Sequence, residues 1–212
     1  MPAFSRVQND LAAASAHFLK AARVMAFIVF PVSWGMSSIA PDLVALVLGP
    51  NWHEAVRPLL LLCLIMPLRM LSSMIPAAVQ GLGRPEVSVM NQISACIVMP
   101  IAFIVGAHWG VIGISIAWVL GFPVVLAGNL LRALPVIGLT GRQLVRSQIG
   151  PAASASGMWL AVAGCHAALT ELPLLPRLIA LILVGAASYF AFSFLVNRAG
   201  MREAWNLLLS GS

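Results

Sequence analysis

The sequence is poor in charged residues, and acidic residues are the scarcest among them. Only 8% of its 212 residues are charged, six are Asp or Glu, and 61% are hydrophobic. Ordinary globular chains carry about 25% charged residues, so this chain has too little polar surface to coat a water-soluble particle. Its apolar runs are long and continuous, whereas a transmembrane barrel is built from short alternating segments. The composition therefore predicts an all-α, polytopic membrane protein.

Motifs of soluble enzymes and metal sites are absent as well. The chain holds no GxxxxGKS/T, HExxH, GxSxG or CxxC pattern. Cys63, Cys96 and Cys165 each fall inside an apolar run, which predicts neither a disulfide nor a metal site. The adjacent pair His53 and Glu54 can carry catalysis only if both side chains converge, but on a helix they diverge by about 100°. We therefore expect no enzyme activity, no cofactor and no metal.

The formal net charge of +6 does not come from a basic cluster. Lys and Arg stand mainly at the ends of apolar segments, where membrane topology places them, so nucleic acid is not an expected partner. With six spans, nine basic residues fall on one face, namely Arg6, Lys20, Arg23, Arg84, Arg132, Arg142, Arg146, Arg198 and Arg202. Arg57 and Arg177 fall on the other. The excess predicts that the first face, with both termini, is cytoplasmic.

Six apolar runs are long enough to cross a bilayer, which needs about 20 helical residues. They cover about residues 20–39, 55–80, 87–105, 111–131, 149–169 and 178–196. Residues 1–23 carry apolar side chains at helical spacing, which predicts an amphipathic interfacial helix. We therefore divide the chain into this helix (1–23), a four-span core (24–136), and two additional spans with a tail (137–212).

Arg69 lies near the middle of the second run. An arginine at that depth costs about 2.5–3.5 kcal/mol on insertion scales, so it usually faces a protein interior or a wet cavity. One interpretation is contact with an anionic substrate group, most naturally a phosphate. The other is a structural arginine, bonded to carbonyls freed near Pro67 or Pro76 or paired with Asn91 or Gln92.

Three further polar positions, Gln80, Asn91 and Gln92, fall on this span and the next. Each is a candidate to line the same cavity, although such residues also serve as contacts between helices. Prolines in mid-span predict bent helices, a feature of transporters in which freed backbone lines a cavity. They are Pro31, Pro67, Pro76, Pro100 and Pro123.

Seven short segments occur in a characteristic order. They are Pro2–Gln8, Phe30-Pro31 with Gly35, Ala40–Val44, Leu48–Trp52, Leu68-Arg69, Gly81–Pro85 and Trp109–Gly113. In order and spacing they resemble the polysaccharide-transporter branch of the multidrug/oligosaccharidyl-lipid/polysaccharide exporter superfamily. The resemblance covers about residues 1–135, and beyond that only the span count and the charge pattern agree.

That family consists of Wzx-type oligosaccharide flippases, and the resemblance sets several expectations. It implies a bundle of about 14 helices in two lobes around a cavity, which moves lipid-diphosphate-linked sugar repeats for lipopolysaccharide or exopolysaccharide across the bacterial inner membrane. With six spans, this chain is expected to be the C-terminal part of such a bundle, embedded in the lipid bilayer. Either the chain is truncated, or a partner supplies the missing N-terminal transporter half. Arg69 is then expected to contact the lipid-diphosphate-linked oligosaccharide, with Gln80, Asn91 and Gln92 as secondary contacts.

Two other functions stay open at this point. A multidrug cation antiporter of the same superfamily needs intramembrane acids, and no Asp or Glu lies in mid-span here. The chain can also be a fragment without transport activity on its own, because alternating access needs two bodies that move about a shared site.

Overall fold

A computed structural model describes residues 11–196 and residue 201, and the described chain is almost entirely helical. Its seven α-helices are α1 (Leu11–Ser38), α2 (Ala40–Val47), α3 (Val56–Gly81), α4 (Pro85–Ala107), α5 (Gly110–Ile137), α6 (Gly141–Ala168) and α7 (Leu174–Val196). A 3₁₀ segment, Pro50–Ala55, leads into α3. No strand occurs among these residues. The predicted all-α class is confirmed.

Five helical segments within the described residues are long and apolar enough to cross a membrane. They are α1, the 3₁₀ segment together with α3, α4, α5 and α7. The multi-pass membrane class is therefore confirmed. The remaining predicted span, about residues 149–169, lies within α6, whose 28 residues suffice in length. Its first turns carry Arg142, Gln143 and Arg146, which make α6 more polar than the other five.

Helix α6 begins earlier than the sequence pattern predicts. The fifth apolar run was expected to begin at about residue 149, but the helix already starts at Gly141. Thr140 and Gln143 cap it reciprocally: the Gln143 amide N–H donates to Thr140 Oγ1 (3.4 Å), and the Thr140 N–H donates to Gln143 Oε1 (2.9 Å). This capping box satisfies two donors that otherwise lack partners at a helix start. Polar side chains in the first turns are therefore compatible with helix.

The prolines inside the long helices do not end them. Helix α3 runs through Pro67 and Pro76, and α5 runs through Pro123 and Pro135. Helix α5 instead ends at Ile137, just before Gly138, whose φ of 76° and ψ of 29° are left-handed. Glycine adopts that conformation without the Cβ penalty, which makes it a frequent helix terminator.

The described residues form two compact units. The first unit comprises residues 11–25 and Pro67–Gln148, and the second comprises Ala26–Met66 and residues 149–196. Helices α1, α3 and α6 contribute residues to both. The predicted division at residues 23 and 136 remains a prediction, as do the cytoplasmic termini, and residues 1–10 of the expected amphipathic helix lie outside the described residues. Residues 11–23 belong to the continuous helix α1.

The first unit has a core of aliphatic side chains from α1, α3, α5 and the start of α6. Its most buried members include Ile75, Val79, Ala133, Ile137 and Leu144. This core packs α3 beside α5, so side chains on one face of α3 lie close to α5. That proximity positions the site described below.

Helices α4 and α5 form a closely packed hairpin within the first unit. A Cβ added at Gly106 would lie 2.5 Å from the carbonyl oxygen of Gly113, and a Cβ at Gly113 would likewise collide with the carbonyl of Gly106. Small residues let helix backbones approach in this way, as is common in membrane bundles.

The second unit is held by apolar packing and by polar contacts between helices. Its core includes Phe30, Met158 and Leu181. The Tyr189 hydroxyl donates to the Phe27 carbonyl at 2.8 Å. Trp34 Nε1 donates to the Leu64 carbonyl at 3.2 Å. Hydrogen bonds of this kind are typical contacts between helices in a low-dielectric environment.

Candidate functional site

Arg69 of α3 places its guanidinium over the ring of Trp118 on α5. The guanidinium carbon lies 4.5 Å from the ring centroid, within the range of a cation–π interaction. Such an interaction contributes about 0.5–2 kcal/mol, depending on how far the cation is desolvated. It adds no negative charge, so it does not neutralise the positive charge of the guanidinium.

Two phenylalanines keep the Trp118 ring in place. Phe103 of α4 lies with its centroid 5.4 Å away, and Phe122 lies one turn further along α5 at 5.9 Å. Tilted aromatic pairs at these separations stabilise one another by about 0.5–1.5 kcal/mol beyond burial. These neighbours therefore hold the Trp118 ring in place, and the Arg69 guanidinium lies over it.

The Arg69 side chain is exposed and its positive charge is not neutralised within the part of the chain that the structure describes. Neither a hydrogen bond nor an ion pair to a described residue engages its guanidinium. The residue lies 14 positions into the 26-residue helix Val56–Gly81, close to its middle. A cation at this depth that has donors to spare is suited to bind an anionic group.

The exposed side chains of α3 continue from Arg69 toward the end of the helix. Ser73, Ala77 and Gln80 follow at spacings of four, four and three residues, and all three are exposed. This spacing keeps them on one face. Gln80 Nε2 donates to Ser88 Oγ of α4 at 3.2 Å. Arg69 and Gln80 therefore share one open face of α3, about 16 Å apart along its axis.

Asn91 and Gln92, the other two predicted contacts, are placed differently from each other. Asn91 is 5% exposed, and Arg132 Nη1 donates to its Oδ1 at 3.3 Å. The same nitrogen donates to Ser94 Oγ at 2.8 Å. Gln92 is exposed and follows Asn91 directly, so its side chain points about 100° away around the helix. Among the described residues, the arginine that pairs with Asn91 is thus Arg132 of α5, and the structure does not bring Arg69 to either amide.

Sequence reasoning did not single out Trp118, Ser94 or Arg132. Arg132 was counted as a topology-setting charge near a span end, and nothing in its local sequence indicates contact with a residue 41 positions away. Trp118 gave one usable signal. It lies on the same stripe of α5 as Phe122, at the i, i+4 spacing that places two side chains on one helix face.

A second polar cluster lies in the second unit and involves the one buried acid among the described residues. Asp42, at the start of α2, is 3% exposed. Arg177 of α7 binds its carboxylate through Nε, at 3.0 Å from Oδ2, and through Nη2 to Oδ1. His166 Nε2 lies 3.3 Å from Oδ2. The negative charge of Asp42 is therefore already balanced within the protein.

Comparison with known proteins finds similarity to proteins named for polysaccharide biosynthesis or for a cps region. A sequence model of the family described as "Polysaccharide biosynthesis protein" matches residues 1–57. An "uncharacterized membrane protein in cps region" from Klebsiella pneumoniae is 31% identical over 120 residues, which cover 56% of this chain and 25% of that protein. "Lipopolysaccharide biosynthesis protein WzxC" from Escherichia coli strain K12 is 29% identical over 152 residues, which cover 69% of this chain and 30% of that protein.

These curated relatives are much longer than the matched region. The chain spans about a quarter to a third of their length. No solved structure matches it.

Proposed function

We propose, starting from the confirmed resemblance to the Wzx-type polysaccharide-transporter family, that this chain is the C-terminal part of an exporter of lipid-linked oligosaccharides. In this proposal the substrate carries a diphosphate between its lipid and its sugars, and it crosses the bacterial inner membrane. Arg69 contacts the diphosphate while the substrate passes. Gln80, Asn91 and Gln92 supply weaker polar contacts, and a further N-terminal half completes the transporter.

The observation that carries this proposal is the arrangement of Arg69 over Trp118. The ring fixes the guanidinium at mid-span with a contact that leaves its charge uncompensated among the described residues. A purely structural arginine would be expected to donate its N–H groups to carbonyls or to a carboxylate. A phosphate can instead accept two parallel hydrogen bonds from a guanidinium, which adds geometric selectivity to charge attraction.

The cation-antiporter alternative finds less support in the same residues. A carboxylate that binds a cationic substrate must be free of other cations. Among the described acids Asp42 is the buried one, and Arg177 and His166 already surround its carboxylate. Exchange of a cation at Asp42 would require breaking that pair first. A chain without transport activity of its own remains the second alternative.

An export assay in cells tests the proposal. Arg69→Leu is introduced at the native locus, and both surface polysaccharide and the membrane level of the protein are measured. We expect polysaccharide to be lost while protein level stays normal, and Arg69→Lys to retain part of the export. Arg142→Leu, an exposed arginine of α6, is the matched control and should export normally. Normal export by Arg69→Leu would refute the assigned role.

A further inference from the structure

The cluster of Arg132, Asn91 and Ser94 has an unbalanced set of hydrogen-bonding groups. Arg132 Nη1 donates to Asn91 Oδ1 and to Ser94 Oγ. The guanidinium has five N–H donors, and its Nε and Nη2 have no partner among the described residues. Arg132 is exposed, and the described residues supply fewer acceptors than the donors that this cluster presents.

Asn91 adds a further donor without an acceptor. Its Nδ2 is buried and makes no hydrogen bond with a described residue. The orientation of the amide is dictated by its neighbour, because a guanidinium only donates and must therefore face Oδ1. Leaving a buried amide donor unpaired is unfavourable, so an external acceptor would be favoured here.

The position of Arg132 suggests where that acceptor comes from. Arg132 lies five residues before Ile137, where α5 ends. Basic pockets between helices near their ends are the usual sites for phosphate headgroups in membranes. The carboxylate of Glu86, at the start of α4, is engaged by Arg84.

Arg132 and Trp118, whose ring contacts Arg69, lie along nearly the same side of α5. Trp118 and Arg132 are 14 residues apart, which corresponds to about 21 Å along the helix and a rotation of about 40° around it. The helix thus carries one cationic contact near its end and a second one near mid-span.

We infer that Arg132, with Asn91 and Ser94, forms a phosphate-binding site at the open end of the α4–α5 hairpin, opposite the turn between the two helices. It receives the phosphate of a membrane amphiphile at the depth of the headgroups. This site rests on the proposed function in one respect: it is the position that the substrate diphosphate occupies before it reaches Arg69. The binding chemistry is the same for an isoprenoid diphosphate and for an anionic lipid headgroup.

Binding measurements on the purified 212-residue chain can separate this site from Arg69. The chain is placed in nanodiscs of zwitterionic lipid and titrated with farnesyl diphosphate, in an Arg69→Gln background that removes the mid-span contact. We expect binding to persist in that background. Adding Arg132→Gln should weaken it by about tenfold or more, because charge-assisted contacts to phosphate are lost. Arg142→Gln in the same background is the matched control, and it should change affinity by less than about twofold.

Asn91→Asp separates binding from a purely structural role. The new carboxylate would pair with Arg132 and strengthen the α4–α5 contact, so thermal stability should be kept or increased. The same carboxylate would repel phosphate, so farnesyl diphosphate binding should be lost. Retained binding in Asn91→Asp and Arg132→Gln would overturn the site, whatever the result of the export assay with Arg69→Leu.

A second titration identifies the natural occupant. In nanodiscs that contain phosphatidylglycerol, weaker apparent affinity for farnesyl diphosphate would assign the site to a lipid headgroup. Unchanged affinity would assign it to an isoprenoid diphosphate. Arg132→Gln is titrated in parallel in both lipids, because the anionic bilayer also repels the diphosphate, and the weakening counts as competition at the site only where it exceeds that of Arg132→Gln. An affinity that does not depend on Arg132 in either lipid contradicts the site.

Discussion

Arg177 joins α7 to α2 by binding the carboxylate of Asp42 through two of its nitrogens. Both side chains are largely shielded from solvent, with 18% of Arg177 and 4% of Asp42 exposed. Arg177 Nη1 also donates to the Thr170 carbonyl at 3.4 Å, in the connection before α7. The pair therefore joins α2 to the start of α7, 135 positions later, and the Thr170 contact ties in the connection that precedes α7.

Removing one member of this pair should destabilise the second unit. In Asp42→Asn the guanidinium of Arg177 loses its counter-charge while it stays shielded, and such a loss costs about 3–5 kcal/mol. Thermal unfolding in detergent is expected to shift to a clearly lower temperature. Glu86→Gln breaks the exposed Arg84–Glu86 pair and serves as control, with little change expected. Equal unfolding temperatures for both variants would contradict the structural role of Asp42.

The glycine contact in the α4–α5 hairpin leads to a second prediction. Gly113→Ala introduces a methyl group against the Gly106 carbonyl, so the backbones must separate, at a cost of about 1–3 kcal/mol. Gly128→Ala on the same helix is the control, because nothing lies within 4 Å of the added Cβ. It should be neutral or stabilising by up to about 1 kcal/mol, from helix propensity. Differential scanning fluorimetry of the two variants tests this, and an equal loss in both would show that the close approach is not present.

The capping box of α6 predicts a smaller effect. Thr140→Ala removes the side-chain acceptor for the Gln143 N–H, which should cost about 0.5–2 kcal/mol. Thr140→Ser keeps the hydroxyl and should preserve most of the stability. Chemical unfolding followed by circular dichroism distinguishes the two. If alanine and serine behave alike, Thr140 does not cap the helix.

Trp118 should matter to export through Arg69. Trp118→Leu removes the ring face, and a loss of about 0.5–1 kcal/mol corresponds to a two- to fivefold slower export rate. Trp118→Phe keeps a ring and should slow export less. Pulse-labelled cells report the rate of polysaccharide appearance at the surface. Identical rates for wild type and Trp118→Leu would mean that the ring does not position Arg69 for transport.

The helices could be predicted from the sequence because a long apolar run has few structures other than a helix available to it in a membrane. Residues 55–80 were expected to be helical and are so as Val56–Gly81. The start of α6 was harder to predict, because the apolar run that indicates this helix begins only at about residue 149, after Arg142 and Gln143. The Thr140 and Gln143 spacing was the available signal for the true start.

The site could be predicted only in part. Arg69 was identified because a mid-span charge is costly, a property of a single position. Its contact with Trp118 and the contacts of Arg132 and Arg177 depend on tertiary packing, which a single sequence does not encode in any local pattern. For the same reason no local pattern around Asp42 indicates its buried ion pair with Arg177, 135 positions later.

A substrate-binding role for Arg69 requires that its side chain faces a water-filled cavity within the membrane. Thiol labelling measures this directly, in a variant whose Cys63, Cys96 and Cys165 are replaced by serine. Arg69→Cys should react with a charged, membrane-impermeant thiosulfonate in intact membranes. Leu120→Cys, an apolar position of α5 that is 67% exposed on the helix surface, should not react, because lipid covers it. A cysteine at position 69 that is as unreactive as the one at position 120 would place Arg69 against the acyl chains and contradict the account.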